Sequence, residues 1–242
     1  AVAGTTVYVG GSFPRVGGQT RNHLAAVGTD GTLQAWNPNA NGPLRALAVA
    51  GSTVYVGGDF TQIGGVTRNH MAAVDATTGA PTTWDPNANG PVNALAVAGS
   101  TVYVGGGFHQ VGNQSRNYLA AVDATTGVPT GWNPDPNQAV YALAVAGTTV
   151  YVGGEFTLVG SQSRNWLAAF DTTTGTIQDW NPNVSDGHHV GAFAVAGTTV
   201  YVGGQFSSIS SVARNHLAAF STDGTLQDWN PQPNNWVMGL AV

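Results

Sequence analysis

The sequence predicts an all-β repeat fold, and three observations carry that prediction. The stretch Ala48-Val49-Ala50-Gly51-Ser52-Thr53-Val54-Tyr55-Val56-Gly57-Gly58 recurs nearly letter for letter from Ala1, Ala96, Ala144 and Ala194, so one unit is written five times across 242 residues. Each unit holds short runs of β-branched, aromatic and small apolar residues punctuated by glycine-containing turns, and no helical periodicity survives anywhere. A unit with several short strands cannot bury its apolar faces alone, and stacking copies around an axis is the usual solution. The expected architecture is a five-bladed β-propeller of four-stranded antiparallel blades. With no linker between copies it reads as a single domain over residues 1–242, in units of about 1–47, 48–95, 96–143, 144–193 and 194–240.

The strands follow in order. The first alternates alanine with a larger aliphatic, as in Ala94-Leu95-Ala96-Val97-Ala98, the small side chains that crowding near an axis demands. A Gly-Ser or Gly-Thr turn leads into the second, where Tyr8, Tyr55, Tyr103, Tyr151 and Tyr201 lie between valines, making both faces apolar and requiring cover on both sides. A Gly-Gly pair and a longer polar loop precede the third run, such as Met71-Ala72-Ala73-Val74, and a tight turn at Thr77 to Gly79 precedes the fourth. The fourth ends in Trp-Asn-Pro or Trp-Asp-Pro at Trp36, Trp84, Trp132, Trp180 and Trp229, and proline there blocks further edge pairing. The chain opens partway through a first strand and closes on another, Trp236 to Val242. The expected ring is therefore closed by residues 237–242 completing the N-terminal blade; otherwise that strand is free to pair with another molecule.

Composition excludes several function classes. Charged residues make up 8% of the chain, there is no lysine, and the net charge of -5 offers no footprint for nucleic acid or an anionic membrane surface. No apolar run reaches the length of a membrane helix, so membrane insertion is not expected, and the first residues already belong to a repeat, so no signal peptide is expected in this sequence. The absence of cysteine removes disulfides and thiolate metal sites. Richness in Gly, Thr, Asn and Ala with few charges suggests a secreted or cell-surface bacterial protein.

The pattern resembles kelch-type propeller blades, with Gly57-Gly58 after the second strand, an Asp-x-Thr-Thr-Gly turn from Asp75 to Gly79 and Trp84 in the fourth strand. It is similar still more closely to a kelch-like group of bacterial secreted repeats of the delta-sixty type, and the resemblance covers all five units. The Ala73 to Gly79 stretch also resembles the tryptophan-docking motif of quinoprotein dehydrogenases, with the tryptophan one residue late in the second, third and fourth units. Those enzymes have more blades, and many use a vicinal cysteine pair that this chain does not contain, so their activity is not carried over.

Candidate site residues lie where the copies disagree. In an up-and-down blade, the loop after strand two shares a face with the blade-to-blade linker, and both vary between units, which makes that face the expected recognition surface. At the mouth of the predicted channel one position reads Arg45, Asn93, Tyr141, Gly191 and Met238, and the position above it Pro43, Pro91, Ala139, His189 and Trp236. Arg45, Asn93, Tyr141, His189 and Trp236 are candidate ligand contacts there, a mix of polar, aromatic and basic groups suited to a small ligand or peptide. A planar ring begins each third strand (His23, His70, Tyr118, Trp166, His216), and Tyr118 and Trp166 are added as candidate platforms for sugar faces, against the alternative of packing on the preceding loop. The Arg-Asn pair just before the ring is read as structural, its guanidinium forking onto carbonyls or onto Asp75, Asp123 or Asp171 to lock neighbouring blades.

Asp186-Gly187-His188-His189 is the only metal-like cluster, and a solvated loop insertion is preferred for it; no metal and no cofactor are called for. A glycosidase would need paired carboxylates in the funnel, and the first strands carry none; Asp59 and Glu155 after the Gly-Gly pairs are matched by Ser12, Gly107 and Gln205 elsewhere. The expected function is a non-catalytic binding or scaffolding module with a glycan or protein ligand. A structural or self-assembling extracellular protein, monomeric or oligomeric through its terminal strand, is the alternative, and a glycosidase-like enzyme is the remaining one.

Overall fold

The computed structural model describes the backbone of Ala1–Val242 and all side chains except those of Asp186, Gly187 and His188. The chain divides into two compact units, one of Ala1–Arg116 and Ala121–Thr130, the other of Asn117–Ala120 and Gly131–Val242.

In the first unit every repeat builds an antiparallel sheet of three strands. The first sheet comprises Val2–Ala3, Thr6–Gly10 and Leu24–Gly28; the second Leu44–Ala50, Thr53–Gly58 and Met71–Asp75; the third Val92–Ala98, Thr101–Gly106 and Leu119–Asp123. In each the middle strand pairs with both others. The polar loop after it folds into its own two-stranded ribbon, as in Gln62–Ile63 with Val66–Thr67. The second unit holds a fourth sheet, Val140–Ala146, Thr149–Gly154 and Leu167–Asp171, and a fifth in which Val184–Ala196 and Thr199–Ile209 form a longer hairpin joined by Val212–Ala213 and Leu217–Ser221.

This corrects the expected closed ring of four-stranded blades. Among the described residues the fourth segment of each repeat makes only an isolated bridge to the third strand, Val27 with Leu33, Val74 with Pro81, Val122 with Pro129, Phe170 with Ile177 and Phe220 with Leu226. Pro81 and Pro129 have no N–H for a longer ladder, and the tryptophan that follows is drawn away to the next sheet. Among the described residues no sheet closes into a ring, and Val237–Val242 form no strand.

Tryptophan is the fastener between successive sheets. In the first unit the Trp36 and Trp84 indole N–H groups donate to the carbonyls of Asp75 and Asp123 at 2.9 and 3.0 Å; in the second, Trp132 and Trp180 donate to Asp171 and Ser221 at 2.8 and 3.4 Å. Each buried ring bonds to the residue that ends the next sheet's third strand. The tyrosines sit edge-on to these indoles, Tyr55 and Trp84 at 5.1 Å between centroids. The Tyr8 and Tyr55 hydroxyls donate to Ala76 and Ala124, one residue beyond those strand ends.

The Thr-Thr-Gly turns are tied by aspartate. Oδ1 of Asp75 accepts from the N–H of Thr77 and Thr78 and from the Thr78 hydroxyl, and Asp123 and Asp171 repeat the pattern. Donation to the charged form holds these carboxylates below their ordinary value of 3.8. A folded pKa below the unfolded one contributes stability that is present above pH 3.8 and lost as pH falls through the lower folded value. The thermal midpoint is therefore expected to decline below that pH, and the decline to flatten when Asp75, Asp123 and Asp171 are all replaced by asparagine. A scan of unfolding temperature against pH checks both.

Candidate functional site

The variability of the first-strand position read as Arg45, Asn93, Tyr141 and Gly191 has a backbone cause. The first strands of the second to fifth repeats shift register at one residue, between Leu44 and Ala46, Val92 and Ala94, Val140 and Ala142, and Val190 and Ala192. The extra residues are Arg45, Asn93, Tyr141 and Gly191. A bulge re-aims the side chain of its extra residue, so that residue's identity is released from the constraints that hold the rest of the strand constant.

Three of the expected residues come together in the second unit. The Tyr141 and His189 rings lie 5.5 Å apart between centroids at 62°, and His189 and Trp236 lie 6.4 Å apart at 80°. The result is an aromatic ladder with Trp236 51% exposed at one end. Gly191 lies beside it, and a Cβ there would be in ordinary contact with the ring, 3.4 Å from His189 Cδ2. Polar groups flank the ladder along the chain. His189 pairs with Gln205 in the fifth sheet, and Glu155 follows Gly154, the strand partner of Val140.

Arg45 belongs to the first unit and is engaged differently. Its Nε donates to both carboxylate oxygens of Asp59 at 3.1 and 3.0 Å, with Nη2 at 2.9 Å from Oδ2. Arg45 borders a cavity of about 360 Å³ that is also lined by Ala1, Tyr8, Val9, Gly10, Ala46 and Leu47. Asn93 occupies the corresponding bulge of the third sheet. The Asp59 carboxylate is thus held by a guanidinium.

Tyr118 and Trp166 stand at the ring position before the third strands, where all five residues are half-buried and left-handed, with φ of 62 to 65°. That conformation is rare for bulky residues and is over-determined here. The Trp166 N–H donates to the Phe156 carbonyl at 2.9 Å, its own carbonyl accepts from Gly154, and its ring packs on the buried core. His23 and His70 make the same backbone pair and turn Nδ1 toward the Gly11 and Gly58 carbonyls.

The Arg-Asn pairs work within their own repeats. Arg68 donates to the Thr67 and Thr82 carbonyls at 2.8 Å, and Arg21, Arg116, Arg164 and Arg214 do the same to their equivalents, tying the ribbon to the fourth segment. Asp75, Asp123 and Asp171 are not among their partners. The asparagines bridge to the linker, Asn69 to Asn87, Asn117 to Asp135 and Asn165 to Asn183, each at 2.8 Å, where the acceptor residue is left-handed. The cluster Asp186-Gly187-His188-His189 lies outside the described side chains except for His189. Among the described residues no group of three His, Asp or Glu side chains could hold a metal ion.

A family model described as outer membrane protein assembly factor BamB matches residues 1–231. It identifies blade repeats of the β-propeller kind and is not specific to the kelch-like or delta-sixty groups. No curated protein matches the chain. Among solved structures, the computationally designed Ika4 protein is 16% identical, with 76% of this chain and 93% of that one covered and a TM-score of 0.48. The computationally designed Ika8 protein is 15% identical, with 86% and 77% covered and a TM-score of 0.48.

Proposed function

From the premise that the chain belongs to the family described as outer membrane protein assembly factor BamB, we propose that it is a carbohydrate-binding scaffold of the bacterial envelope. The family makes it a non-catalytic scaffold or binding module and associates it with the envelope. The carbohydrate reading rests on the ladder of Tyr141, His189 and Trp236. Aromatic faces and edges take up the C–H faces of sugar rings, and neighbouring amide and carboxylate groups such as Gln205 and Glu155 suit the hydroxyls. Three rings from three separate repeats, one of them half in solvent, are a costly arrangement to keep exposed for packing alone.

Binding of the purified chain to an array of bacterial cell-wall and capsular oligosaccharides tests this. Selective binding is expected, weakened about tenfold or more by Trp236→Ala or Tyr141→Ala, a loss of roughly 1.4 kcal/mol. Arg45→Ala, remote in role and held by Asp59, is expected to leave it unchanged. A blank array would instead favour a polypeptide client, the class of partner named in the family's description.

A further inference from the structure

The junctions between sheets define a plug and a seat. The plug is the tryptophan of the fourth segment. The seat is the last carbonyl of the next sheet's third strand and the glycine of the turn after it. A Cβ on Gly79 would lie 3.3 Å from the Trp36 indole, one on Gly175 3.0 Å from Trp132, and one on Gly224 3.3 Å from Trp180, so each indole lies flush against a turn that only glycine leaves open.

One plug and one seat are unmatched among the described residues. Trp229 is 43% exposed, and its ring lies 5.2 Å from that of Tyr201 between centroids. The first sheet carries the seat in sequence and geometry. Gly28-Thr29-Asp30-Gly31-Thr32 is the counterpart of Ser221-Thr222-Asp223-Gly224-Thr225, the turn that receives Trp180. Nothing lies within 4 Å of a Cβ built on Gly31. In place of an indole there is a cavity of about 260 Å³ lined by Thr5, Gly28, Thr29, Asp30, Thr32 and Gln34.

A second, separate contact has the same complementarity. Within each unit the aliphatic that opens a first strand covers a middle-strand glycine of the preceding sheet: a Cβ on Gly57 would meet Val92 at 2.5 Å and one on Gly153 would meet Val190 at 2.6 Å. Val237 covers Gly203 in the same way, at 2.7 Å, so the segment from Val237 already stands where a following sheet's first strand would start. In the second sheet Ala46 and Leu47 pair with Gly57 and Val56. The equivalent residues of the first sheet, Gly10 and Val9, border the cavity of about 360 Å³ instead, and Gly239 and Leu240 stand at the repeat positions of Ala46 and Leu47, small and then aliphatic.

We propose that the first sheet of one copy docks on the fifth sheet of a second copy, seating Trp229 against Gly31 and pairing Gly239 and Leu240 with Gly10 and Val9. The contact repeats the chain's own sheet-to-sheet junction between molecules. The Trp229 indole N–H would donate to the Gly28 carbonyl and the Tyr201 hydroxyl to that of Thr29, as Trp36 and Tyr8 do to Asp75 and Ala76. The two surfaces are different, so the association is head-to-tail.

Sedimentation of the wild-type chain from micromolar to millimolar concentration, beside Trp229→Ala (plug removed) and Thr29→Trp (seat filled at an exposed position), tests this. The wild type is expected to rise in mass with concentration, and each variant alone to stay monomeric. An equimolar mixture of the two should pair one to one, because the Trp229→Ala copy keeps an intact seat and the Thr29→Trp copy an intact plug. Should Thr29→Trp fail to fold, Thr32→Arg fills the same seat. A wild type that stays monomeric throughout, variants that associate like the wild type, or a mixture that does not pair would each overturn the proposal.

Discussion

Gly106→Ala is expected to destabilise the protein by about 3 kcal/mol or more, and Gly107→Ala, one residue on, by close to nothing. Gly106 ends the middle strand of the third sheet, opposite Val92. A Cβ there would lie 2.1 Å from the Pro91 carbonyl oxygen and 3.0 Å from Val92 Cα, both backbone atoms that no rotamer change can move. That oxygen is also committed, accepting from the Gly107 N–H at 2.8 Å, so displacing it breaks a hydrogen bond as well. At Gly107 the nearest atom to a new Cβ is Pro91 Cδ at 4.0 Å, an open contact. Gly58, Gly154 and Gly204 face the carbonyls of Pro43, Ala139 and His189 at 2.2, 2.2 and 2.4 Å, so the penalty should recur at these three positions. Urea unfolding of the two single variants reads the contrast, and for a chain of this size the Gly106→Ala loss corresponds to roughly 6 to 12 °C in unfolding temperature.

The same glycines show what the sequence could and could not convey. Their recurrence after Tyr-Val was enough to mark the end of a strand, and the repeat as a whole located the three strands of each sheet and the tight turns between them. Periodicity reports which residues are equivalent, but it does not report how long a pairing runs. The Trp-Asn-Pro segment therefore read as a fourth strand, when a single bridge joins it to the third strand and its tryptophan bonds to the next sheet. The residues Tyr141, His189 and Trp236 were legible as divergent positions, yet the bulge that carries Tyr141 was not: it is a backbone event with no residue signature beyond the divergence itself. The left-handed rings at His70, Tyr118 and Trp166 were hidden for a related reason, because a side chain's type does not announce a positive φ that tertiary hydrogen bonds impose.

Trp84→Ala is expected to cost about 3 to 5 kcal/mol, and the analogous change at Trp229 no more than about 1 kcal/mol in the monomer. Trp84 is 2% exposed, and its ring loses three things at once. The edge-on contact with Tyr55 goes, the apolar area between the second and third sheets opens, and the Asp123 carbonyl loses the indole N–H that it accepts at 3.0 Å. Trp84→Phe separates the contributions: it keeps most of the buried area and removes the donor, so it should recover more than half of the loss if packing dominates. Trp229 has the same Tyr neighbour but no carbonyl to bind and only half its surface covered, which is why identical chemistry at an identical repeat position should read so differently. Equilibrium unfolding at low protein concentration gives that ordering. If the two alanine variants instead lost equal stability, the bond from each indole to the next sheet would not be what fastens the repeats, and the ring's contact with its own tyrosine would have to carry the whole effect.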